Sequence, residues 1–404
     1  MRWSVTLLAW WLSAGCASGE GQSQAGVVQQ TVARPTIRDS SGVRIVEYPT
    51  LGAAIASNNG RPVNPTGLQL DQLPPALRIA KAPFLDLGGL KSDSLLEFDA
   101  RNPVLSTITF SNGTIVANDR TRIMYFSADG RFLRASGRAG WGPGEFSQTR
   151  DLCLLTGDRV MVINFGDQRI SIFDAEGRLV RAASRPGKML DRACTPEGDI
   201  VVRDAGMTHE MSDSVDFLVP YRIVRLDGAT VSSLGLWPDK ALRMVSTTPS
   251  VVVDTDEIFV GNGRTFEIKV YDRALKLKRI TRLLRLPPPI TDLEWKTRLE
   301  ERERPMGSPE AIARFKRNFL AGKPLRYPSF SLVRVDPAHR LWVSDYQSSG
   351  WTVFDRDGLL LGRFNLLGSL EQRRELAGFG PDYVVIRYRD SDGALHLAFH
   401  RILQ

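Results

Sequence analysis

Residues 157–184 read GDRVMVINFGDQRISIFDAEGRLVRAAS. The stretch opens on a turn, Gly157-Asp158, and runs into an apolar strand, Val160–Ile163. A polar turn follows, then a second strand with Ile170 and Ile172 two positions apart. Glu176-Gly177 makes the next turn and Leu179–Ala183 the third strand. Apolar residues two apart mark a β-strand, and Asp-Gly or Glu-Gly between such runs marks an antiparallel hairpin.

The same pattern recurs on both sides. GTIVANDRTRIMYFSADGRFLRASG at 113–137 and RLWVSDYQSSGWTVFDRDGLLLGRF at 340–364 are clear copies. Residues 198–235 and 256–280 are weaker ones. The turn glycines Gly130, Gly177 and Gly228 are spaced 47 and 51 residues apart. One preceding strand completes each unit: Ser106–Phe110, Asp151–Leu155, Arg192–Thr195, Ser250–Val253 and Leu332–Asp336. Four antiparallel strands in a repeat of 40 to 50 residues make a propeller blade. Tyr383–Tyr388 and Leu395–Arg401, with a short strand near Leu376, give a last unit without its outer strand. Phe84–Gly88, near the N-terminus, has the character of that missing strand. The expected fold is all-β, a six-bladed β-propeller at 42–404 closed by an N-terminal strand.

The chain resembles six-bladed propellers of the NHL-repeat type, and a bacterial group of propeller lipoproteins in particular. The carrying residues are GRAGWGPGEF at 137–146, the Val162, Asp167, Arg169, Ile170, Phe173, Asp174, Gly177 unit, and Tyr327–Phe330 with Leu341-Trp342-Val343. The resemblance covers about Gly42 to Leu403. It implies the fold and an envelope location, and no single activity.

The N-terminus agrees with export. Arg2 precedes an apolar run, Trp3–Leu12, too short to span a bilayer and of signal-peptide length. Ser13-Ala14-Gly15-Cys16 resembles a lipobox, with Ser13 where such sequences prefer Leu. Residues 1–15 are expected as a signal peptide, Cys16 as a lipid attachment site, and 16–41 as a Ser/Gly/Gln-rich tether with a reach of about 25 to 30 Å. The expected location is the bacterial envelope, periplasm or cell surface.

The chain has 53 Lys and Arg against 45 Asp and Glu, a net +8, among 404 residues. No basic run interleaves with aromatics, so the charge does not point to nucleic acid. Cys153 and Cys194 each lie four residues before a turn glycine. Equivalent sites on rotated blades are expected to point the same way, which favours two buried thiols over a bridge.

The connections between strands 2 and 3, and from strand 4 to the next blade, share one face of a propeller. Here they include all the long excursions: Gly137–Phe146, Ala205–Val219 and Leu286–Pro328. The last is expected to be helical over about 287–328. Thr291 and Glu294 form a capping box, and Ser308-Pro309-Glu310 opens a second helix. Candidate ligand residues on this rim are Asn118, Asp119, Arg120, Asp167, His209, Glu210, Asn262, Arg264, Asp345, Tyr346 and Gln347. The recurring aspartates read first as turn-fixing acceptors. No metal or cofactor is expected. A divalent cation is considered only at the His209–Asp216 loop and at a ring of rim carboxylates, and it is the weaker reading at both. His396 and His400 read as exposed or structural. No Ser-His-Asp, phosphate-loop or zinc pattern is present.

The expected function is a monomeric, non-catalytic, envelope-anchored propeller. It would bind a protein, peptide or glycan at the loop-rich face. The alternative is a periplasmic propeller enzyme: a lactonase, lyase or metal-assisted hydrolase. Three inward His or carboxylate groups converging on one point would favour it.

Overall fold

The computed structural model describes residues 35–48, 77–88, 106–164, 168–184, 186, 188–203, 217–239, 249–284, 287, 289–303, 309–310, 312–313, 316–317, 325–346, 350–366 and 374–403. The described chain is all-β apart from one short helical insertion. It opens with a hairpin, β1 (Thr36–Ser40) and β2 (Val43–Tyr48). Two short strands follow, β3 (Arg78–Ile79) and β4 (Leu85–Gly88).

Four-stranded antiparallel meanders come next. The first is β5 (Thr107–Thr109), β6 (Ile115–Asn118), β7 (Ile123–Phe126) and β8 (Phe132–Ser136). The second is β9 (Thr149–Leu155), β10 (Arg159–Asn164), β11 (Arg169–Phe173) and β12 (Leu179–Ser184). The third is β13 (Lys188–Cys194), β14 (Ile200–Arg203), β15 (Phe217–Val224) and β16 (Thr230–Asp239). Then come β17 (Ser250–Val253), β18 (Glu257–Gly261), β19 (Glu267–Asp272) and β20 (Leu277–Leu283). Helix α1 (Asp292–Glu303) precedes β21 (Leu332–Val335), β22 (Leu341–Ser344), β23 (Gly350–Phe354) and β24 (Leu360–Asn365). The chain ends with β25 (Glu375–Phe379), β26 (Tyr383–Arg389) and β27 (Leu395–Leu403).

Burial follows strand position. Central strands are covered on both faces: IVAN of β6 and IMYF of β7 are buried throughout. A strand covered on both faces needs an unbroken apolar run rather than an alternating one. The outer strand β8 is only half-covered and alternates exposed with half-buried residues. The hydrophobic clusters form between successive meanders. Phe110, Tyr125, Val160 and Phe173 join the first to the second. Met161, Ile163, Ile200 and Val202 join the second to the third. Ile115, Met124, Val385 and Phe399 join the first to the last strands of the chain. Sheets stacked face to face around a common centre give a propeller-like arrangement. The first strands β25, β5, β9, β13, β17 and β21 are neighbours in that order.

Two N-terminal segments attach to this body. β4, the segment read as an outer strand, pairs antiparallel with β27, Leu87 opposite Leu397. β2 lies parallel to β20, Ile45 opposite Ile280, so the hairpin extends that sheet to six strands. Residues 36–40, expected within the tether, are therefore strand β1. They pair because β2 offers a free edge once its other edge is taken by β20.

The sequence reading of the cysteines is corrected. Cys153 and Cys194 form a disulfide, with Cα atoms 6.4 Å apart. The argument from rotated equivalents overlooked where these residues lie. β9 and β13 are first strands, the part of each meander nearest the centre, where neighbours converge within bridging distance.

The helical insertion opens as its capping box predicts. Thr291 Oγ1 accepts the N–H of Glu294 at 3.2 Å, and Glu294 Oε2 accepts the N–H of Thr291 at 2.9 Å. Trp295 and Leu299 are buried against Ile290 and Tyr327. Residues 309–310, 312–313 and 316–317 are helical, and the rest of the second expected helix lies outside the described residues.

Candidate functional site

A cavity of about 510 Å³ lies at the centre of the fold. Its wall comes from the first strand of each unit: Ser106–Thr109, Leu152–Thr156, Cys194 with Pro196, Val252–Thr255, Val333–Pro337 with His339, and Ala377–Phe379. Each contribution leans toward the tight turn that leads to the second strand. The cavity thus reaches the face of the short turns, opposite the face with the long excursions. A volume near 500 Å³ lies within the usual range for small-molecule sites.

Apolar side chains, among them Ile108, Leu152, Leu155, Val253, Val333 and Val335, make up the larger part of the wall. Polar side chains share the wall, from Thr107, Thr109, Thr156 and Thr255 to Asp254, Arg334, Asp336 and His339. Thr107 is buried, and its Oγ1 has no hydrogen-bond partner among the described residues. Arg334 is 9 % exposed, and its Nε and Nη1 are likewise without an acceptor there. Its guanidinium carbon lies 5.6 Å from the centre of the Trp351 ring. Asp336, two residues on, is fully committed elsewhere. It accepts from Arg340 Nε at 2.6 Å, from Trp342 Nε1 at 2.8 Å and from two backbone N–H groups.

At the mouth, Asp254, Asp256 and His339 present one ligand atom each, all within 4.8 Å of one another. His339 Nδ1 lies 2.5 Å from Asp254 Oδ2, and Asp256 pairs with Arg356. His339 has φ of 59°, a left-handed conformation that L-residues adopt at a cost. Its N–H bonds to Asp336 O, as that of Gly113 does to Phe110 O and that of Gly198 to Thr195 O. His339 thus takes the turn-glycine place of its unit. The sequence reading missed this trio. The available signal was a histidine where the sister repeats have glycine. One imidazole and two carboxylates could hold a divalent cation.

Beside the mouth, the turn after β13 carries two displaced carboxyls. Burial, then the charge of Glu197, pushes Asp199 above the usual range. Burial pushes Glu197 the same way. Hydrogen bonds from Thr195 and from Arg273, whose Nη2 lies 2.6 Å away, outweigh it and hold Glu197 below its usual value.

The residues proposed from sequence sit elsewhere. Asn118 ends the second strand β6, Asp119, Arg120, Asn262, Arg264, Asp345 and Tyr346 occupy connections from second to third strands, and none lines the cavity. Asn118 is buried. Its Oδ1 accepts the Ser106 N–H at 2.7 Å, and its Nδ2 donates to Thr149 Oγ1 at 2.9 Å. Asp119 accepts the N–H groups of Thr121 and Arg122 at 3.0 Å and pairs with Arg122 Nε at 2.7 Å. Arg120 Nε donates to Ser147 O at 3.4 Å. Asn262 accepts the Arg264 N–H at 3.1 Å. Asp345 pairs with Arg363, and Tyr346 packs on Tyr327 beside the insertion. Asp119 and Asn262 hold their own loops, whereas Asn118, Arg120, Asp345 and Tyr346 reach neighbouring segments. Cys16, Asp167, His209, Glu210 and Gln347 lie outside the described residues. His400 Nδ1 meets Ala80 O at 2.9 Å, and His396 lies between Asp86 and Asp390.

No family model matches the chain, and no curated protein sequence matches it. Solved structures do resemble it. A DUF4221 family member from Bacteroides vulgatus aligns over 81 % of this chain and 99 % of its own, at 10 % identity and a TM-score of 0.50. A candidate exported protein from Bacteroides fragilis covers 81 % and 96 %, at 11 % identity and a TM-score of 0.48. Virginiamycin B lyase from Staphylococcus aureus covers 79 % and 87 %, at 12 % identity and a TM-score of 0.39. At these identities the likeness concerns the fold, and chemistry must be argued from this chain's own residues.

Proposed function

We propose that this chain is a six-bladed propeller of a bacterial envelope that binds a small organic ligand in its central cavity without transforming it. The observation that carries the reading is a single cavity walled by the first strands of all the units. The blade number rests on the pairing. The nine-stranded sheet divides at one residue pair, Gly378 with Thr107, into β5–β8 and a unit of β25, β26, β27 and β4, with the two-residue β3 also on β27. The six-stranded sheet is one meander, β17–β20, with the β1–β2 hairpin added to its edge. With the three separate four-stranded sheets, this gives six units.

The cavity replaces the loop-rich rim as the ligand site because Asn118, Asp119, Arg120, Asn262 and Asp345 are engaged with their own turns or with neighbouring segments. The test is ligand-induced stabilisation of the purified protein by a panel of organic acids, monosaccharides and dipeptides. A Leu154→Trp variant, which fills the cavity, should fold and lose every such shift. Shifts that survive in this variant but vanish on deleting 287–328 would return the site to the rim.

A second reading, a metal-assisted enzyme, is favoured by Asp254, Asp256 and His339 at the mouth. Its test is metal analysis after incubation with Mg²⁺, Mn²⁺ or Zn²⁺. Stoichiometric retention lost in Asp254→Asn would support it.

The export and anchor proposal rests on residues 1–16 and the resemblance. Cys16→Ala should release the protein from membranes. Continued membrane retention would remove the anchor from the account.

A further inference from the structure

Where β4 meets the last unit, a histidine lies between two carboxylates. His396 belongs to β27 and stands opposite Gly88 of β4. Its Nδ1 is 3.0 Å from Asp86 Oδ1 on β4. Its Nε2 is 3.1 Å from Asp390 Oδ2 in the turn after β26. The ring stacks on Tyr388 of β26, with centres 4.8 Å apart. Tyr388 donates its hydroxyl proton to Asp86 Oδ2 at 2.6 Å, and the Arg374 guanidinium lies 5.6 Å from the centre of the Tyr388 ring. In the turn, Asp390 Oδ1 accepts the N–H groups of Asp392 and Ala394, and Arg389 Nη1 donates to Gly393 O.

A neutral imidazole offers one N–H and one lone pair, and only the cation donates at both nitrogens. Here both nitrogens face carboxylate oxygens, which accept and do not donate. A neutral ring would set its lone pair against an anion on one side. Burial pushes the Asp390 carboxyl up, but bonds from His396 and from the Ala394 N–H outweigh it and hold Asp390 below its usual range. Burial, and then the bond to Asp86, push Tyr388 above the usual tyrosine range, so it keeps the proton it donates. Asp86 therefore takes Tyr388 on one oxygen and offers the other to the ring.

We propose that His396 is a pH-sensitive latch: as the imidazolium it ties β4, through Asp86, to the Asp390 turn of the last unit, and loss of its proton slackens the N-terminal strand. The latch concerns how the fold closes and stands apart from the cavity reading. It holds fully below about pH 6.5, the ordinary value of an unfolded histidine, and weakens as the ring loses its proton at higher pH.

The full protein tests this in two ways. Ring ¹⁵N shifts of histidine-labelled protein, with His396 assigned by its contacts to the Tyr388 ring, should show both nitrogens protonated at about pH 7.5. An unfolded histidine is roughly nine-tenths neutral there. Hydrogen exchange of the β4 amides paired with β27, corrected for the intrinsic effect of pH, should quicken about three- to tenfold between about pH 6 and pH 9. That is the size of one partly exposed charge-assisted contact. Asp390→Asn should abolish the step and leave the strand protected, because its amide can donate to Nε2 of a neutral ring while Asp86 accepts from Nδ1. His396→Gln should also lack the step.

A neutral ring at about pH 7.5 in the wild type would overturn the proposal, whether or not either variant folds. So would wild-type exchange that follows only the intrinsic effect of pH. A step of unchanged size in Asp390→Asn or His396→Gln would assign it to another group and equally overturn the latch.

Discussion

His339 is the residue where repetition fails. Its sister positions Gly113 and Gly198 meet the left-handed turn without a Cβ, whereas His339 bears one. Two variants separate the turn from the side chain. His339→Ala keeps the strain and loses the contact with Asp254, while His339→Gly loses both. The glycine variant should therefore be the more stable by about 1 kcal/mol, read from denaturant midpoints. Equal midpoints would mean the turn bears no strain.

At this scale the sequence was legible wherever a side chain serves its own turn. Asp119 accepting Thr121 and Arg122 N–H groups is the role its position suggested. Arg334 was not legible. Nothing in its neighbours along the chain reveals that Asp336 is already saturated. That is decided by Trp342, which reaches it from the next strand.

Among the elements, the Gly137–Phe146 connection is pinned at both ends. Phe146 is fully buried and packs on Phe173 with ring centres 6.0 Å apart. Glu145 closes the loop by accepting from Gly142 N at 2.9 Å and Arg138 Nε at 2.8 Å. The Gly142 N–H and then Arg138 hold the Glu145 carboxyl below its usual value. A carboxyl lowered in the folded state favours the closed loop above its unfolded value of about 4.3. That contribution fades as the pH falls through the lower folded value. Fluorescence of the exposed Trp141 should change in that acid window, and Glu145→Gln should remove the transition. A pH-independent signal in the native protein would show that Glu145 does not hold the loop.

The seam between β25 and β5 is a second element with a definite dependence. A Cβ on Gly378 would fall 2.2 Å from Thr107 Oγ1 and 2.3 Å from Thr107 O. Gly378→Ala should cost about 1–3 kcal/mol through forced backbone movement, measured by denaturant unfolding. An unchanged midpoint would mean that the two strands part freely. The strands themselves were readable because period-2 patterns and Gly turns are local. The β1–β2 hairpin was not, because its stability depends on β20, over two hundred residues away in the chain.

For the whole molecule, the Cys153–Cys194 bond ties neighbouring first strands 41 residues apart in sequence. Closing a loop of that length restricts the unfolded chain by about 4 kcal/mol at room temperature. Reduction, or replacement of both cysteines by serine, should lower the guanidinium midpoint accordingly. Identical midpoints with and without reductant would argue that the bond does not form. Fold class was legible at this scale because repetition multiplies weak local signals. The position of the cavity was not, since it follows from which turns are close to the axis. The pairing of β4 with β27 carries a consequence for biosynthesis. Asp86 and His396, in contact across that pair, are 310 positions apart. At roughly 5–20 residues per second, β4 waits about 15–60 s for its partner to be made. Throughout that interval the nascent chain carries an unmated strand with Phe84 beside it, an edge open to premature pairing.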